Sequence, residues 1–206
     1  MQNSYDQIAQ QWHSNDRGQA YVDRVLGYVD LVLAGLPAGA RILDLGCGTG
    51  QPIAKYIVAQ GFQLVGIDQS AKMLEIARKG IGHGEFLQSN MIDVELAAGF
   101  AGAIAWDSIF HVAREHHSAI FQKLAKSLVP GGRLLVSVGG SGAEEITSEM
   151  FGHPFSYSGF EPEVTRKLLE AAGFAIEVWE VDDPSSWGHL AAIGRKVEPL
   201  REILLD

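Results

Sequence analysis

Residues 41–60, RILDLGCGTGQPIAKYIVAQ, constrain this chain more than any other segment. An apolar run, Ile42, Leu43 and Leu45, ends in three glycines at alternate positions, Gly46, Gly48 and Gly50, and an amphipathic stretch follows at once. A strand that turns through glycines straight into a helix opens a βα unit. Glycines there permit a tight turn and let a ligand lie against backbone where a Cβ would collide. The segment therefore predicts an α/β fold with a nucleotide-like ligand at the strand's carboxyl end.

The pattern continues downstream. FQLVGID, SAKMLEIARKG and GEFLQ read as strand, helix and strand, and AGAIAW as another strand. A helix is expected over 115–128, then the strand RLLVSV after the turn Pro130, Gly131 and Gly132, then a helix over 162–172 closed by Gly173. Alternating strands and helices specify a parallel sheet with crossover helices. Two last strands, FAIEVWEV and HLAAIGR, are joined only by DDPSSWG. So short a connector implies a hairpin, which turns the last strand antiparallel. The first forty residues are predicted helical, with Ile8, Ala9 and Trp12 on one face and Tyr21, Val22, Val25, Val29, Val32 and Leu33 continuing the pattern.

At 206 residues, 47% hydrophobic and 20% charged, the chain suits one domain with a sizeable core. The expected division is a helical cap over 1–40, a core over 41–196 and a loop region over 140–160. The N-terminus reads as neither a basic leader nor an apolar signal, and no long apolar run suggests a membrane span, so a cytoplasmic address is expected. A net charge of −9 without a run of Lys or Arg disfavours nucleic-acid partners and favours a small molecule. The lone Cys47 excludes an internal disulfide and a multi-thiolate zinc site.

Two acids sharpen the ligand. Asp44 ends the first strand beside the glycine loop, where a carboxylate would repel pyrophosphate and attract an amino group or a sulfonium. Asp68 ends the second strand, where an acid binds ribose hydroxyls. Gln51 stands where a dinucleotide fingerprint has its third glycine. An adenosyl ligand with a cationic tail fits better than NAD, although Asp44 as a loop cap and Asp68 as a cap on the helix after Ser70 stay open.

With these motifs the sequence resembles the class I S-adenosylmethionine-dependent methyltransferases over roughly residues 5–196. The resemblance implies a Rossmann-like, doubly wound, seven-stranded sheet, mostly parallel with an antiparallel last strand, plus N-terminal helices. ILDLGCGTG is similar to the family's first motif, which implies that Asp44, Gly46, Cys47 and Gly48 line the methionine end of the cofactor. VGIDQS is similar to the second, implying that Asp68 binds ribose and Gln69 flanks adenine. Met73 is implied to pack on adenine, and is otherwise a core residue. Ser89, Asn90 and Met91 resemble the third motif, with Asn90 in place of the usual acid. AWDSIFHV, which contains Trp106, resembles the fourth, and LVPGGRLLVSV the turn and fifth strand.

Methyl transfer is an in-line displacement, so the protein must mainly align the acceptor and sometimes remove a proton. There is no Pro-Pro-aromatic cluster, which the resemblance would require for adenine or glutamine amide methylation, and no second cysteine for the usual route to RNA C5-methylcytosine, so neither class is expected. His111 is the candidate general base after the fourth strand; Trp106 and Phe110 are candidate pocket walls, and Asp107 a bridge to the cofactor or a cap. Residues 140–160, rich in glycine and aromatics, read as a substrate lid more than a structural element, with Glu144, His153 and Tyr157 as candidates for catalysis. His116 and His117 diverge by about 100° on a helix, so no metal site is expected. Tyr5, Trp12 and Tyr21 either close over the cofactor mouth, as the resemblance implies, or pack the cap. A nicotinamide oxidoreductase and a non-catalytic cofactor-binding module are the competing readings. Oligomeric state stays open; the apolar residues Leu200, Ile203, Leu204 and Leu205 fit packing on the domain or on a second copy.

Overall fold

The computed structural model describes residues 4–139, 142, 144–183 and 189–197. Two helices come first, α1 (Ser4–Ser14) and α2 (Gln19–Leu33), broken at Gly18, whose φ of 79° a helix does not tolerate. Then follow β1 (Arg41–Leu45), α3 (Ile53–Ala59), β2 (Gln63–Asp68), α4 (Ala71–Ile81), β3 (Glu85–Gln88) and β4 (Phe100–Ala105). After two single 3-10 turns, Ile109–His111 and Arg114–His116, come α5 (His117–Ser127), β5 (Leu128–Val138), β6 (Ile146–Met150), β7 (His153–Tyr157), α6 (Pro162–Ala171), β8 (Phe174–Asp183) and β9 (His189–Lys196).

Seven strands form one sheet in the order β3-β2-β1-β4-β5-β9-β8. The pairs among β1 to β5 are parallel, and β9 runs antiparallel to both β5 and β8. This is the expected fold, with the antiparallel strand inserted between β5 and β8. The order reverses between β1 and β4, which opens a crevice at their carboxyl ends. Alternation along each strand sends side chains to opposite faces. Leu43, Leu45, Ala103, Ala105, Leu134 and Val136 pack with Phe121 and Leu124 of α5 and Leu169 of α6. Ile42, Ile104 and Leu135 pack with Val25, Val29 and Val32 of α2, Ala54 and Ile57 of α3 and Leu74 of α4.

Three local features differ from the sequence reading. Helix α5 starts at His117, because a 3-10 turn occupies Arg114–His116. Strand β5 starts at Leu128, before the Pro-Gly-Gly turn; Leu128 pairs with Phe100 and the register then shifts before Gly102 pairs with Arg133. The region read as an aperiodic loop contains the antiparallel hairpin β6–β7, turned by Phe151 (φ 52°) and Gly152 (φ 78°). Every β6 residue but Met150 is exposed, so no apolar alternation marked the strand. The hairpin docks through Phe155, whose ring centre is 4.9 Å from that of Tyr5 in α1, and through the Ser158 N–H donated to the Phe110 carbonyl at 2.7 Å. Gly140, Ser141, Ala143, the 184–188 connector and the apolar C-terminal residues lie outside the described residues. Among the described residues no helix is long and apolar enough to cross a membrane.

Candidate active site

The crevice between β1 and β4 is roofed by the N-terminal helices and has a cavity volume of about 210 Å³, open to solvent. Its floor is the glycine loop. The Gly46 and Cys47 amides both donate to the Ile67 carbonyl, at 2.7 and 3.0 Å, which pins the loop to β2. Gly46 has φ 85°, and a Cβ there would lie 2.3 Å from Ser108 Cβ. Gly50 has φ 78°, and a Cβ there would lie 2.2 Å from Ile81 Cδ1. Backbone dihedral and space thus both demand glycine at position 46, and the dihedral demands it at position 50.

Asp44 lies at the mouth of this loop, buried to 3% exposure, and its carboxylate makes no hydrogen bond to any described residue. Burial, with the Asp68 charge second, pushes its pKa up to about 7. Such a carboxylate is an open acceptor for an ammonium group. Asp68 is held differently: one oxygen accepts from the Gly48 N–H at 2.9 Å and the other from the Ser70 N–H at 2.8 Å. Burial still holds its pKa above the ordinary value, against those backbone bonds. Asp68 therefore braces the loop, and a second lone pair on each oxygen is left for a diol. Ser70 caps α4 by accepting from the Met73 N–H, and its hydroxyl donates to Asp6 of α1 at 2.6 Å.

On the far side, Asp107 leaves β4 with φ 49°, a left-handed conformation that Asp tolerates. One carboxylate oxygen accepts from Arg17 Nη1 at 3.0 Å and the Tyr21 hydroxyl at 2.9 Å. The other lies 3.0 Å from His189 Nε2. Arg17 sits 3.9 Å above the Trp12 ring centre, and its Nη1 also donates to the Tyr21 hydroxyl at 2.6 Å. Its Nε and Nη2 have no hydrogen-bond partner among the described residues. At the open end, His111 Nδ1 faces the Ser156 carbonyl at 3.2 Å and must donate to it. His111 Nε2 is then the bare nitrogen of a neutral ring and accepts from the Tyr5 hydroxyl at 2.7 Å. Burial lowers the His111 pKa, so the ring is neutral at pH 7.

The model of a family described as "Methyltransferase domain" matches residues 42–132, the stretch that builds this crevice. An O-methyltransferase of Aspergillus nomiae is 31% identical over 162 residues, covering 71% of this chain and 70% of its own length. The chain belongs to the methyltransferase family. It is an S-adenosylmethionine-dependent methyltransferase. A trans-aconitate 2-methyltransferase of an Acidovorax species is 35% identical over 109 residues, covering 50% of this chain and 39% of its own length. The chain thus spans more than two thirds of the first relative and well under half of the second. A crystal structure of a methyltransferase from Methanosarcina mazei shares the fold, with a TM-score of 0.70 at 20% identity over 82% of this chain and 98% of the other.

The residues present fit the cofactor. The site has a lone carboxylate that could meet its amino group, glycines at 46, 48 and 50 where the backbone could approach its body, and Asp68 near the second strand's end. The crevice brings together Asp44, Gly46, Cys47, Gly48, Asp68, Gln69, Met73, Asn90, Met91 and Trp106. Met73 is buried at its wall, and Gln69 is exposed at its edge. Asn90 spends its side-chain carbonyl on the Ile92 N–H at 2.9 Å, leaving its amide NH₂ for a ligand. The Cys47 thiol is buried, which pushes its pKa well up and keeps it an uncharged loop residue. Trp106 donates from Nε1 to the Tyr21 hydroxyl at 3.1 Å and stacks on Tyr28.

Of the residues suggested for chemistry, His111 lines the crevice and Tyr157 lies behind it, ring centres 4.8 Å apart. Glu144 is 80% exposed in an ion pair with Arg114, and His153 pairs with Met150 in the hairpin; neither lines the crevice. His117 Nε2 is directed at the Val112 carbonyl at 2.9 Å. The sequence reading missed Arg17, His189 and Asp182. The spacing Trp12, Arg17, Tyr21 around a helix break was the one signal for Arg17; His189 meets Asp107 across 82 positions, which no local pattern reveals.

Proposed function

We propose that this methyltransferase methylates a hydroxyl oxygen of a small molecule, with Tyr5 and His111 as the proton-accepting pair. The observation that carries the reading is the Tyr5–His111 hydrogen bond at 2.7 Å on the crevice wall, with the imidazole fixed from behind by the Ser156 carbonyl. When bound, S-adenosylmethionine supplies an electrophilic methyl group on a sulfonium. Asp44 would accept from its amino group, Asp68 from its ribose hydroxyls, and the uncommitted Arg17 donors would meet its carboxylate. Tyr5, Trp12, Met91, Ile92 and Val112 wall the acceptor side and exclude water. As the acceptor oxygen attacks, its proton passes to Tyr5 Oη while Tyr5's own proton passes to His111 Nε2. Burial opposes a free tyrosinate, so the two transfers are coupled. The resulting imidazolium keeps its Nδ1–H on the Ser156 carbonyl. The name of the Aspergillus relative, an O-methyltransferase, supports oxygen as the acceptor atom.

The test is turnover with a panel of phenols, alcohols, amines, thiols and carboxylic acids, read as S-adenosylhomocysteine and methylated product by mass spectrometry. Hydroxyl acceptors are expected to react, and His111→Ala to lower kcat by about 10²-fold or more with S-adenosylhomocysteine affinity nearly intact. Preference for amines or thiols, or an unchanged kcat in His111→Ala, would overturn the reading.

A further inference from the structure

The crevice chemistry does not use the group behind Asp107. His189, on β9, has a carboxylate on each ring nitrogen: Asp107 Oδ1 lies 3.0 Å from Nε2 and Asp182 Oδ2 lies 3.1 Å from Nδ1. A neutral imidazole has one N–H, and it would turn a nitrogen lone pair toward one of the two carboxylates. Only the imidazolium donates to both. The surroundings extend this alternation of sign. Asp182, nearly fully buried on β8, also accepts from Arg24 Nε of α2 at 2.7 Å, and Asp107 accepts from Arg17 and Tyr21. The chain of charges therefore runs Arg24, Asp182, His189, Asp107, Arg17, starting on α2 and ending at the roof of the crevice.

We propose that His189, as an imidazolium clamped between Asp182 and Asp107, is a positioning residue that fixes the Asp107 carboxylate so that it holds Arg17 and Tyr21 of the N-terminal cap over the cofactor. The proposal rests on the reading of the crevice as the cofactor site. Among the described residues, Asp107 is the carboxylate that ties Arg17 and Tyr21 of the cap to the β4 exit, and its orientation is set by what holds its second oxygen. The Ser137 hydroxyl accepts from the Asp107 N–H at 2.7 Å and donates a longer bond, at 3.4 Å, to that oxygen. His189 holds the same oxygen at 3.0 Å and brings a charge to it.

Among the described residues, the groups facing His189 are few. They are Asp107 after β4, Asp182 on β8, and the rings of Trp106 and Phe110 at 5.4 and 6.1 Å. Arg17 and Arg24 act on it through the two carboxylates, and the Tyr28 hydroxyl donates to Glu180 alongside. Burial alone would drive the proton off. The hydrogen bond and charge of Asp107, and then those of Asp182, overcome it and hold the His189 pKa above its ordinary value. The sign follows: the clamp is complete below that raised pKa and is lost as pH rises through it.

The test is the S-adenosylhomocysteine dissociation constant by titration calorimetry from about pH 6 to about pH 9 for the native protein, His189→Gln and Asp44→Asn. Asp44 also titrates near this range, but it is common to the native protein and His189→Gln and cancels in their ratio. The expected result is a His189→Gln protein about tenfold weaker than native at the acid end, the ratio closing toward one at the alkaline end. A ratio constant with pH would assign His189 a merely structural role and overturn the proposal. Independently of any variant, ¹⁵N imidazole shifts of the native protein at neutral pH are expected to show both His189 nitrogens protonated; a neutral tautomer overturns it as well. Failure of the underlying cofactor reading looks different: the native protein would not bind the ligand, or Asp44→Asn would not weaken it.

Discussion

Replacing Asp44 by Asn should stabilise the ligand-free protein while weakening its grip on the cofactor. The carboxylate is buried without a hydrogen-bond partner among the described residues, and its pKa rises from 3.8 to about 7. For an acid whose folded pKa is raised, the native state holds the proton over that interval and the unfolded state does not. Stability therefore falls as pH rises through it and stays low above. A shift of about three units at ~1.4 kcal/mol each gives a cost of about 4 kcal/mol at alkaline pH. The Asn amide is also unpartnered and returns about 1–3 kcal/mol of that. The net gain expected above about pH 8 is about 2 kcal/mol, a rise in Tm of roughly 4–8 °C for a chain of this size, with little gain near about pH 4. In the same variant the charge-assisted bond to the cofactor's ammonium is lost, which weakens S-adenosylhomocysteine by about 10- to 100-fold. Differential scanning fluorimetry across pH, beside calorimetry, measures both. An Asn variant that gains no stability over the native protein at alkaline pH, or that binds like it, would rule out a buried, ligand-facing Asp44 carboxylate.

Two further substitutions test the loop. Asp68→Ala removes the acceptor for the Gly48 and Ser70 amides as well as the partner for ribose, so calorimetry should show cofactor affinity weakened by about 1.5–3 kcal/mol or more. Unchanged affinity would show that Asp68 only braces the loop. Gly46→Ala puts a Cβ against Ser108 at a positive φ and should cost at least about 1–2 kcal/mol of stability in a denaturant titration, with loss of binding. A stable variant that binds normally would mean that the loop turns differently.

The sheet and the loop were legible because each rests on local chemistry. Apolar runs at the strand period marked every strand of the large sheet, and the glycines with Asp44 and Asp68 marked the crevice within a stretch of under thirty residues. The β6–β7 hairpin was not legible, because an exposed strand has no buried face to impose alternation. Of its two turn residues Gly152 is of the usual type but Phe151, at φ 52°, is not, so the turn carried only half its signature. The charged network behind the crevice escaped for another reason. Arg17, Asp107, Asp182 and His189 come from four separate segments, and each alone reads as an ordinary polar residue at the end of an element. Asp107 was open between a cofactor bridge and a cap, and the structure gives it a third role, as the junction between cap and sheet. His111 was legible as a candidate base, but its pairing with Tyr5 was not, since 106 positions separate them.

One crevice is thus expected to hold the methyl donor by Asp44 and Asp68 and to present the acceptor to Tyr5 and His111. A crystal structure with S-adenosylhomocysteine bound would show whether it does. The amino group is expected against Asp44, the ribose hydroxyls against Asp68, and the space beyond the sulfur opening onto Tyr5 and His111. A ligand whose amino group lies away from Asp44, or whose sulfur faces away from the Tyr5–His111 pair, would contradict this arrangement.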